Sequence, residues 1–317
     1  MHDHHEVLAR AAEPLAARRL IDDVRRQGPR TAARVRRVLD HELFFEHPVD
    51  HLPGMYLLEA TRQLAGEAEL GAAWWPRTGE VEFARYAELA GEVELEACAA
   101  RLQDGAVALE VRATQGGELV ARGRGEWVDA PLPAPGRGTG DPGLPAGAEP
   151  VPPALVHMRR AENVALAWTA RRGEGYLAGL RAEHPFFEPR RAGFVSHLHL
   201  VEGVRQLAEA LTHRYLGAPE GDVFVVEALR LLGSRPGRLG APVLIAAEPS
   251  ELVLRGGALR RAACRFVATQ EGAPVFRAEA RWRVIPGAIY RRARGTTQGA
   301  GQGAAQATKQ GAGRGAA

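Results

Sequence analysis

An internal duplication constrains this chain more than any other feature. The stretch "FFEHPVDHLPGMYLLEATRQLAGEA", from Phe44, and "FFEPRRAGFVSHLHLVEGVRQLAEAL", from Phe186, share an F-F-E opening and an E-x-x-R-Q-L-A close, with one extra residue in the second copy. Glu59 stands opposite Glu202, Arg62 opposite Arg205 and Gln63 opposite Gln206. Each stretch leads into period-two alternation. In the first half this covers "EVEFARY", "GEVELEACAARL", "AVALEVRATQ" and "ELVARGRGEW"; in the second, "DVFVVEALRLL", "APVLIAAE", "ALRRAACRFVATQ" and "APVFRAEARWRV". Such alternation, bounded by Gly, Pro and Asp, marks antiparallel strands with one buried face. A repeat of roughly 140 residues is one structural module used twice, with five or six strands in each copy.

Met55 to Ala73 contains no Pro and only two Gly, Gly66 and Gly71, and its apolar residues fall on most faces, as in a buried helix. Pro53-Gly54 supplies the turn before it. Phe194 to Leu216 behaves alike and is followed by Gly217, a natural C-cap. The pattern predicts an α+β chain built as a tandem (double) hotdog, each copy a long central helix wrapped by an antiparallel sheet. Residues 1–128 form the first repeat and 154–295 the second. Residues 129–153, "DAPLPAPGRGTGDPGLPAGAEPVPP", read as a Pro/Gly-rich linker, and residues 296–317 as a disordered low-complexity tail.

Composition removes several functional classes. No apolar run reaches the roughly 18 residues needed to span a bilayer, and "MHDHHEVLAR" lacks the layout of a signal peptide. Cys98 and Cys264 lie far apart without a CxxC neighbour, which fits core thiols in a reducing cytoplasm. The pI of 9.2 invites nucleic acid, but the net charge is only +3 and Lys309 is the sole lysine. An arginine bias with abundant Ala and Gly reflects GC-rich coding rather than a binding surface, and no basic block is interleaved with aromatics. "RRLIDDVRR", residues 18–26, mixes both signs and reads as a solvated helical face. Neither nucleic acid nor membrane is an expected partner.

On a helix, Glu59, Arg62 and Gln63 project from one face, as do Glu202, Arg205 and Gln206. A solvated salt bridge is the ordinary reading of E-x-x-R, but the surrounding leucines argue for burial. A buried ion pair costs several kcal/mol unless well paired and is weak evidence for stability, so its repetition favours function. His47, Asp50 and His51 precede the first helix. As H-x-x-x-H they could suggest a metal, but Pro48 and the loop setting spoil ligand spacing and no third ligand is evident, so no metal is expected. One histidine is expected to hydrogen-bond across the turn while another faces a cleft beside Glu59. The second copy lacks the Pro-Gly and carries His184, His197 and His199 in a different arrangement. The two sites are therefore not equivalent, and residues 47–63 mark the working one. Tyr86 and Trp74-Trp75 read as packing residues.

These strings resemble a known family. "HPVDHLPGMYLLEATRQ" followed by "FARYAEL" resembles one half of the A-factor biosynthesis (AfsA-type) hotdog family of γ-butyrolactone synthases, and also echoes the P-G…E of hydroxyacyl dehydratases. "VHMRRAENVALAW", "LHLVEGVRQLAEALTHRYLGAPEGDVFVVEALRL" and "PGAIYRRAR" resemble the other half. The likeness covers most of the chain outside the linker, the tail and the first thirty or so residues. In that family the half that bears "HPFF", here residues 184–187 in the second copy, usually comes first. Here the order is reversed, as in a circular permutation, which a pseudo-twofold fold tolerates if the linker spans the new junction.

The resemblance implies transfer of a β-ketoacyl group from an acyl carrier protein (or CoA) thioester to the hydroxyl of dihydroxyacetone phosphate, in signal-lactone biosynthesis, without a cofactor. A desolvated Glu59 or Glu202 would serve as base, Arg62 or Arg205 would hold the phosphate, and the N-terminus of either helix would receive the thioester oxygen. His47, Asp50, His51, Gly54, Gln63 and Gln206 are the expected substrate-binding residues. The chain would act as a monomeric pseudo-dimer or a homodimer. Dehydration or hydrolysis of an acyl thioester, and a non-catalytic acyl- or lactone-binding role, are the alternatives.

Overall fold

A computed structural model describes residues 19–46, 49–68, 70, 74–130, 142–182, 184–187 and 194–295. The first copy contributes β1 (Ile21–Gln27), β2 (Arg30–Val35), β3 (His51–Leu52), α1 (Gly54–Glu67), β4 (Trp74–Phe83), β5 (Ala87–Glu88), β6 (Val93–Arg101), β7 (Val107–Gln115) and β8 (Glu118–Asp129). Then follow β9 (Glu149–Pro150), β10 (Leu166–Arg172), β11 (Gly175–Leu180), β12 (Phe194–Val195), α2 (His197–Ala210), β13 (Val223–Ser234), β14 (Gly237–Arg238), β15 (Val243–Arg255), β16 (Ala258–Gln270) and β17 (Ala273–Ile285). A further helix, α3, covers residues 287–295.

Thirteen strands form one antiparallel sheet in the order β1-β2-β6-β7-β8-β4-β13-β17-β16-β15-β11-β10-β9. Read outward from the β4–β13 junction, the two copies have the same topology, and β9 is added at one edge. The junction is an antiparallel ladder in which Glu82 faces Ala228, Val81 faces Leu229, Glu80 faces Arg230 and Gly79 faces Leu231. The expected double hotdog is therefore present, as one continuous sheet.

Each helix lies against its own half of the sheet, α1 on β1, β2 and β6 and α2 on β10, β11, β15 and β16. Tyr56, Ala60 and Leu64 of α1 and Leu200, Leu207 and Ala210 of α2 are fully buried. The glutamines of the repeated motif tie helix to sheet in the same way in both copies. Gln63 Oε1 accepts from the Leu20 N–H at 2.8 Å, and Gln206 Oε1 accepts from the Ala165 N–H at 2.8 Å, immediately before β1 and β10. Each amide then donates to its helix glutamate at 2.8 Å. A backbone donor at the mouth of a strand, which burial would otherwise leave unpaired, is satisfied by a side chain.

Three elements differ from the sequence reading. "RRLIDDVRR" is not a solvated helix: Leu20 and Ile21 are buried and the charges ride on β1, the outer edge of the sheet. Charged side chains on an edge strand oppose edge-to-edge pairing, so this composition suits a strand as well as a helical face. The strands β10 and β11 carry too little alternation to announce themselves. Helix α1 ends at Glu67 rather than Ala73, with the Ala68 N–H shared between the Leu64 and Ala65 carbonyls. β4 begins at Trp74; residues 69 and 71–73 lie outside the described residues, as do His47 and the 296–317 segment. Part of the Pro/Gly-rich stretch is ordered into the fold, since Glu149–Pro150 pair with β10 and the Pro142 carbonyl accepts from Trp168 Nε1 at 3.2 Å.

Gly203, opposite Ala60 of α1, lets α2 approach the sheet: a Cβ there would sit 2.6 Å from Leu180 Cδ1 and 2.9 Å from Ile245 Cδ1. Gly203→Ala should therefore lower the unfolding free energy by about 1–3 kcal/mol through overpacking, despite the roughly 1 kcal/mol helix-propensity gain of Ala over Gly. Urea unfolding measures the change; a more stable variant would contradict the close contact.

Candidate functional site

A cavity of about 1610 Å³ opens where the copies meet. The first copy supplies residues 49–54, the first turns of α1 and the segment from Glu82 to Ala90; the second supplies one face of α2 with parts of β13 and β17.

On the first-copy wall, His51 Nδ1 and Asp50 Oδ1 are 2.7 Å apart. Burial would raise the Asp50 carboxyl, but hydrogen bonds from His51, Arg294 and Tyr290 outweigh it and pull it down to about 2. Asp50 is thus an ionised acceptor, which places the imidazole proton on Nδ1 and leaves Nε2 as a free base. Burial also holds His51 below its ordinary value, against the pull of Asp50, so the ring is neutral near pH 7. Tyr86 packs on it, the ring centroids 4.4 Å apart. Helix α1 starts beside this pair. No side chain caps it after Pro53, whereas Ser196 Oγ accepts from the His199 N–H at the start of α2. The first turn of α1 therefore keeps backbone donors available at the cavity. Gly54 lines the cavity as well, and a Cβ on it would meet Phe83 Cζ at 3.2 Å. Its counterpart in α2 is the bulkier, half-buried His197.

The second-copy wall carries Glu202, Arg205 and Glu209. Arg205 donates from Nε and Nη2 to the two Glu202 oxygens at 2.8 and 2.6 Å, and from Nη1 to Glu209 Oε1 at 2.5 Å. One guanidinium thus faces two buried carboxyl groups. Burial first, and then the Glu202 charge, push Glu209 up to about 8 against the attraction of Arg205, so at neutral pH it keeps its proton. Glu209 Oε2 is buried without a hydrogen-bond partner.

Arg261, Arg281 and Arg283 also line the cavity. All three address one carboxylate, Glu227, at 2.7, 3.5 and 4.0 Å, leaving a net positive charge. Glu227 sits in a register shift between Val226 and Ala228. A bulge of this kind re-aims a side chain, here between guanidiniums that would otherwise repel across the ladder.

The two repeated E-x-x-R-Q motifs occupy different settings. Glu59 is fully buried, accepts from Arg62 Nε and Nη2 at 2.7 Å each, and does not line the cavity; neither do Arg62, Gln63 and Gln206. The cleft expected beside Glu59 is instead shared by His51 and Glu202. At the corresponding place in the other half, Trp75 packs against Phe194 and His197, with ring centroids 5.7 and 5.9 Å apart, and donates from Nε1 to Ser234 Oγ at 2.7 Å. His184 and His199 are buried, with ring centroids 5.4 Å apart. Among the described residues no cluster of His, Cys, Asp and Glu is arranged to hold a metal ion, and no helix is long and apolar enough to cross a membrane.

Sequence reasoning missed Glu209, Tyr290 and Arg294 and took Tyr86 for packing. A signal existed for the first: Glu209 stands opposite Gly66 in the aligned copies, a charge acquired by one copy alone.

The A-factor biosynthesis hotdog domain matches residues 17–129 and 142–286, including the β1–β2 region. Curated relatives include a 2-oxo-3-(phosphooxy)propyl 3-oxoalkanoate synthase of Streptomyces virginiae, 49% identical over 49 residues (16% of this chain, 17% of that one). Another of the same name, from Streptomyces coelicolor, is 46% identical over 55 residues (17% and 18%). The chain thus spans under a fifth of the length of either. Among solved structures, the 12:0-ACP thioesterase from Umbellularia californica is similar with TM-score 0.53 and 12% identity, covering 82% of this chain and 99% of that one. The dehydratase domain from the CurJ module of curacin polyketide synthase is similar with TM-score 0.53 and 11% identity, covering 85% and 98%. Those two likenesses concern the fold. With both halves matched by one domain family, this chain belongs to the A-factor biosynthesis hotdog family.

Proposed function

We propose that the cavity between the copies esterifies a phosphorylated triose with a 3-oxoacyl group taken from a carrier-protein or CoA thioester. One observation carries this reading: a neutral histidine held by an ionised aspartate, an uncapped helix N-terminus and a carboxylate–guanidinium wall from the other copy all line one cavity. The name of the Streptomyces relatives describes such an ester, 2-oxo-3-(phosphooxy)propyl 3-oxoalkanoate, which supports the choice of acceptor.

In this mechanism His51 Nε2 removes the proton of the triose hydroxyl as its oxygen attacks the thioester carbon. Backbone N–H groups of the first turn of α1 receive the oxyanion. Collapse breaks the C–S bond, and the imidazolium returns its proton to the departing thiolate. A carboxylate offers about four acceptor sites, and the bonds from Arg205 and Gln206 use three on Glu202. The remaining one orients the hydroxyl. Arg205 is already shared by two carboxyl groups, so the phosphate falls to Arg281 and Arg283, which lie farther from their one carboxylate.

The decisive assay incubates the chain with a 3-oxoacyl carrier thioester and dihydroxyacetone phosphate and weighs the product. The phosphorylated ester is expected; free acid or a dehydrated acyl chain would assign a hydrolase or dehydratase instead. Glu202→Gln should lower transfer by about a hundredfold, the scale of losing the alignment of a reacting group, while Glu59→Gln keeps activity and loses stability. Comparable activity losses in both would undo the assignment of a single working site. Replacing Arg281 and Arg283 together by Ala should raise KM for dihydroxyacetone phosphate without raising it for the thioester, as steady-state kinetics in each substrate would reveal.

Glu209 also sets a pH dependence. Unfolded, its carboxyl ionises near the ordinary 4.5; folded, near 8, so the folded state binds the extra proton and stability falls as pH rises through that window. Glu209→Gln should flatten the melting temperature between pH 4.5 and 8 and raise it relative to the parent at pH 8. Parallel melting curves against pH would contradict a buried protonated Glu209.

A further inference from the structure

We propose that Tyr290 and Arg294, on α3, are positioning residues that hold the Asp50–His51 dyad in its working tautomer and orientation. Helix α3 follows β17 of the second copy, yet its side chains reach the loop before α1 in the first. The Tyr290 hydroxyl donates to Asp50 Oδ1 at 2.8 Å, and Arg294 Nε donates to Asp50 Oδ2 at 2.7 Å. Arg294 Nη2 also donates to the Asp50 backbone carbonyl at 3.0 Å. The same guanidinium forks onto Glu88 of β5 through Nη1 and Nη2, at 2.6 Å each. Its carbon lies 5.2 Å from the Tyr86 ring centroid, and that ring packs on His51.

A strap joining the copies would need only the Arg294–Glu88 pair. Here both carboxylate oxygens of Asp50 and its carbonyl are addressed as well, so the carboxylate cannot rotate and only one direction remains for the imidazole N–H. Arg294 is 13% exposed, so this pair is better shielded from solvent than a surface bridge. Its fork geometry fixes orientation in a way an ammonium cannot. The groups facing the dyad are Tyr86 and Glu88 from the β4–β5 region, Tyr290 and Arg294 from α3 and, beyond Tyr86, Arg283 from β17. Of these, Arg294 is the nearby cation that opposes protonation of His51.

The inference rests on His51 acting as the base, and its test separates the two claims. In full-length protein carrying ¹⁵N-labelled histidine, NMR titration gives the tautomer and pKa of His51 without any substrate. Arg294→Ala should raise the His51 pKa and weaken the preference for the Nδ1–H tautomer; Tyr290→Phe, which removes one hydroxyl, should do so to a smaller degree with the fold intact. Arg294→Lys should restore the pKa by keeping the charge, but not the tautomer preference. In the transfer assay Arg294→Ala should lower kcat by about tenfold or more, with KM for the thioester within about twofold, as expected when only the alignment of a base is lost. An unchanged His51 pKa and tautomer in both Tyr290→Phe and Arg294→Ala would overturn the proposal and leave α3 a fold strap. If the parent protein transfers no acyl group, the functional reading falls, while the titration still decides whether α3 positions the dyad.

Discussion

The ladder between β4 and β13 is the contact on which the rest of the molecule depends. A single hotdog copy would end in an open strand edge, whose unpaired N–H and C=O groups invite pairing with any other strand. Here each copy covers the other's edge and the sheet continues through both. That pairing also fixes which surfaces meet. It sets the face of α2 that carries Glu202, Arg205 and Glu209 across from the loop that carries Asp50 and His51, so both copies line the cavity.

The copies share a motif but have diverged in its use. In the first, Glu59, Arg62 and Gln63 are closed in and tie α1 to the start of β1. In the second, the same residue types keep that tie through Gln206 while exposing Glu202 and Arg205 to the cavity. Small exchanges accompany the difference: Gly54 against His197 at the helix starts, Gly66 against Glu209 about three turns on, and Trp75 packed on Phe194 and His197. A buried ion pair is a poor stabiliser by itself. Its persistence in both copies is understandable because the glutamine that completes it also satisfies a strand's backbone.

Much of this was legible in the residues. The repeat, the central helices and the strands with strict alternation follow from spacing, because period and burial are properties of a single element. The pairing of Glu59 with Arg62 and of Glu202 with Arg205 is likewise local. What escaped reading depends on contacts between distant parts of the chain. Nothing near Asp50 announces Tyr290 or Arg294, and Tyr86 looks like a core aromatic until His51 and Arg294 are found on its ring. The edge strand β1 was misread because mixed charges suit a solvated helix and a guarded edge equally well. Which of two identical motifs faces a cavity is decided by packing across the junction, which no pattern within one copy encodes.

The strand order has a consequence for how such a chain can be written. Counted from the junction, it reads alike in both directions apart from β9, so the sheet carries no record of which copy is synthesised first. Exchanging the halves would leave every ladder in place and alter only the connection between them. Helix α3 obeys the same rule, since it is tethered to the end of its own copy and reaches across the junction in space. In a molecule of this kind gene order is free to drift while the geometry of the cavity stays put.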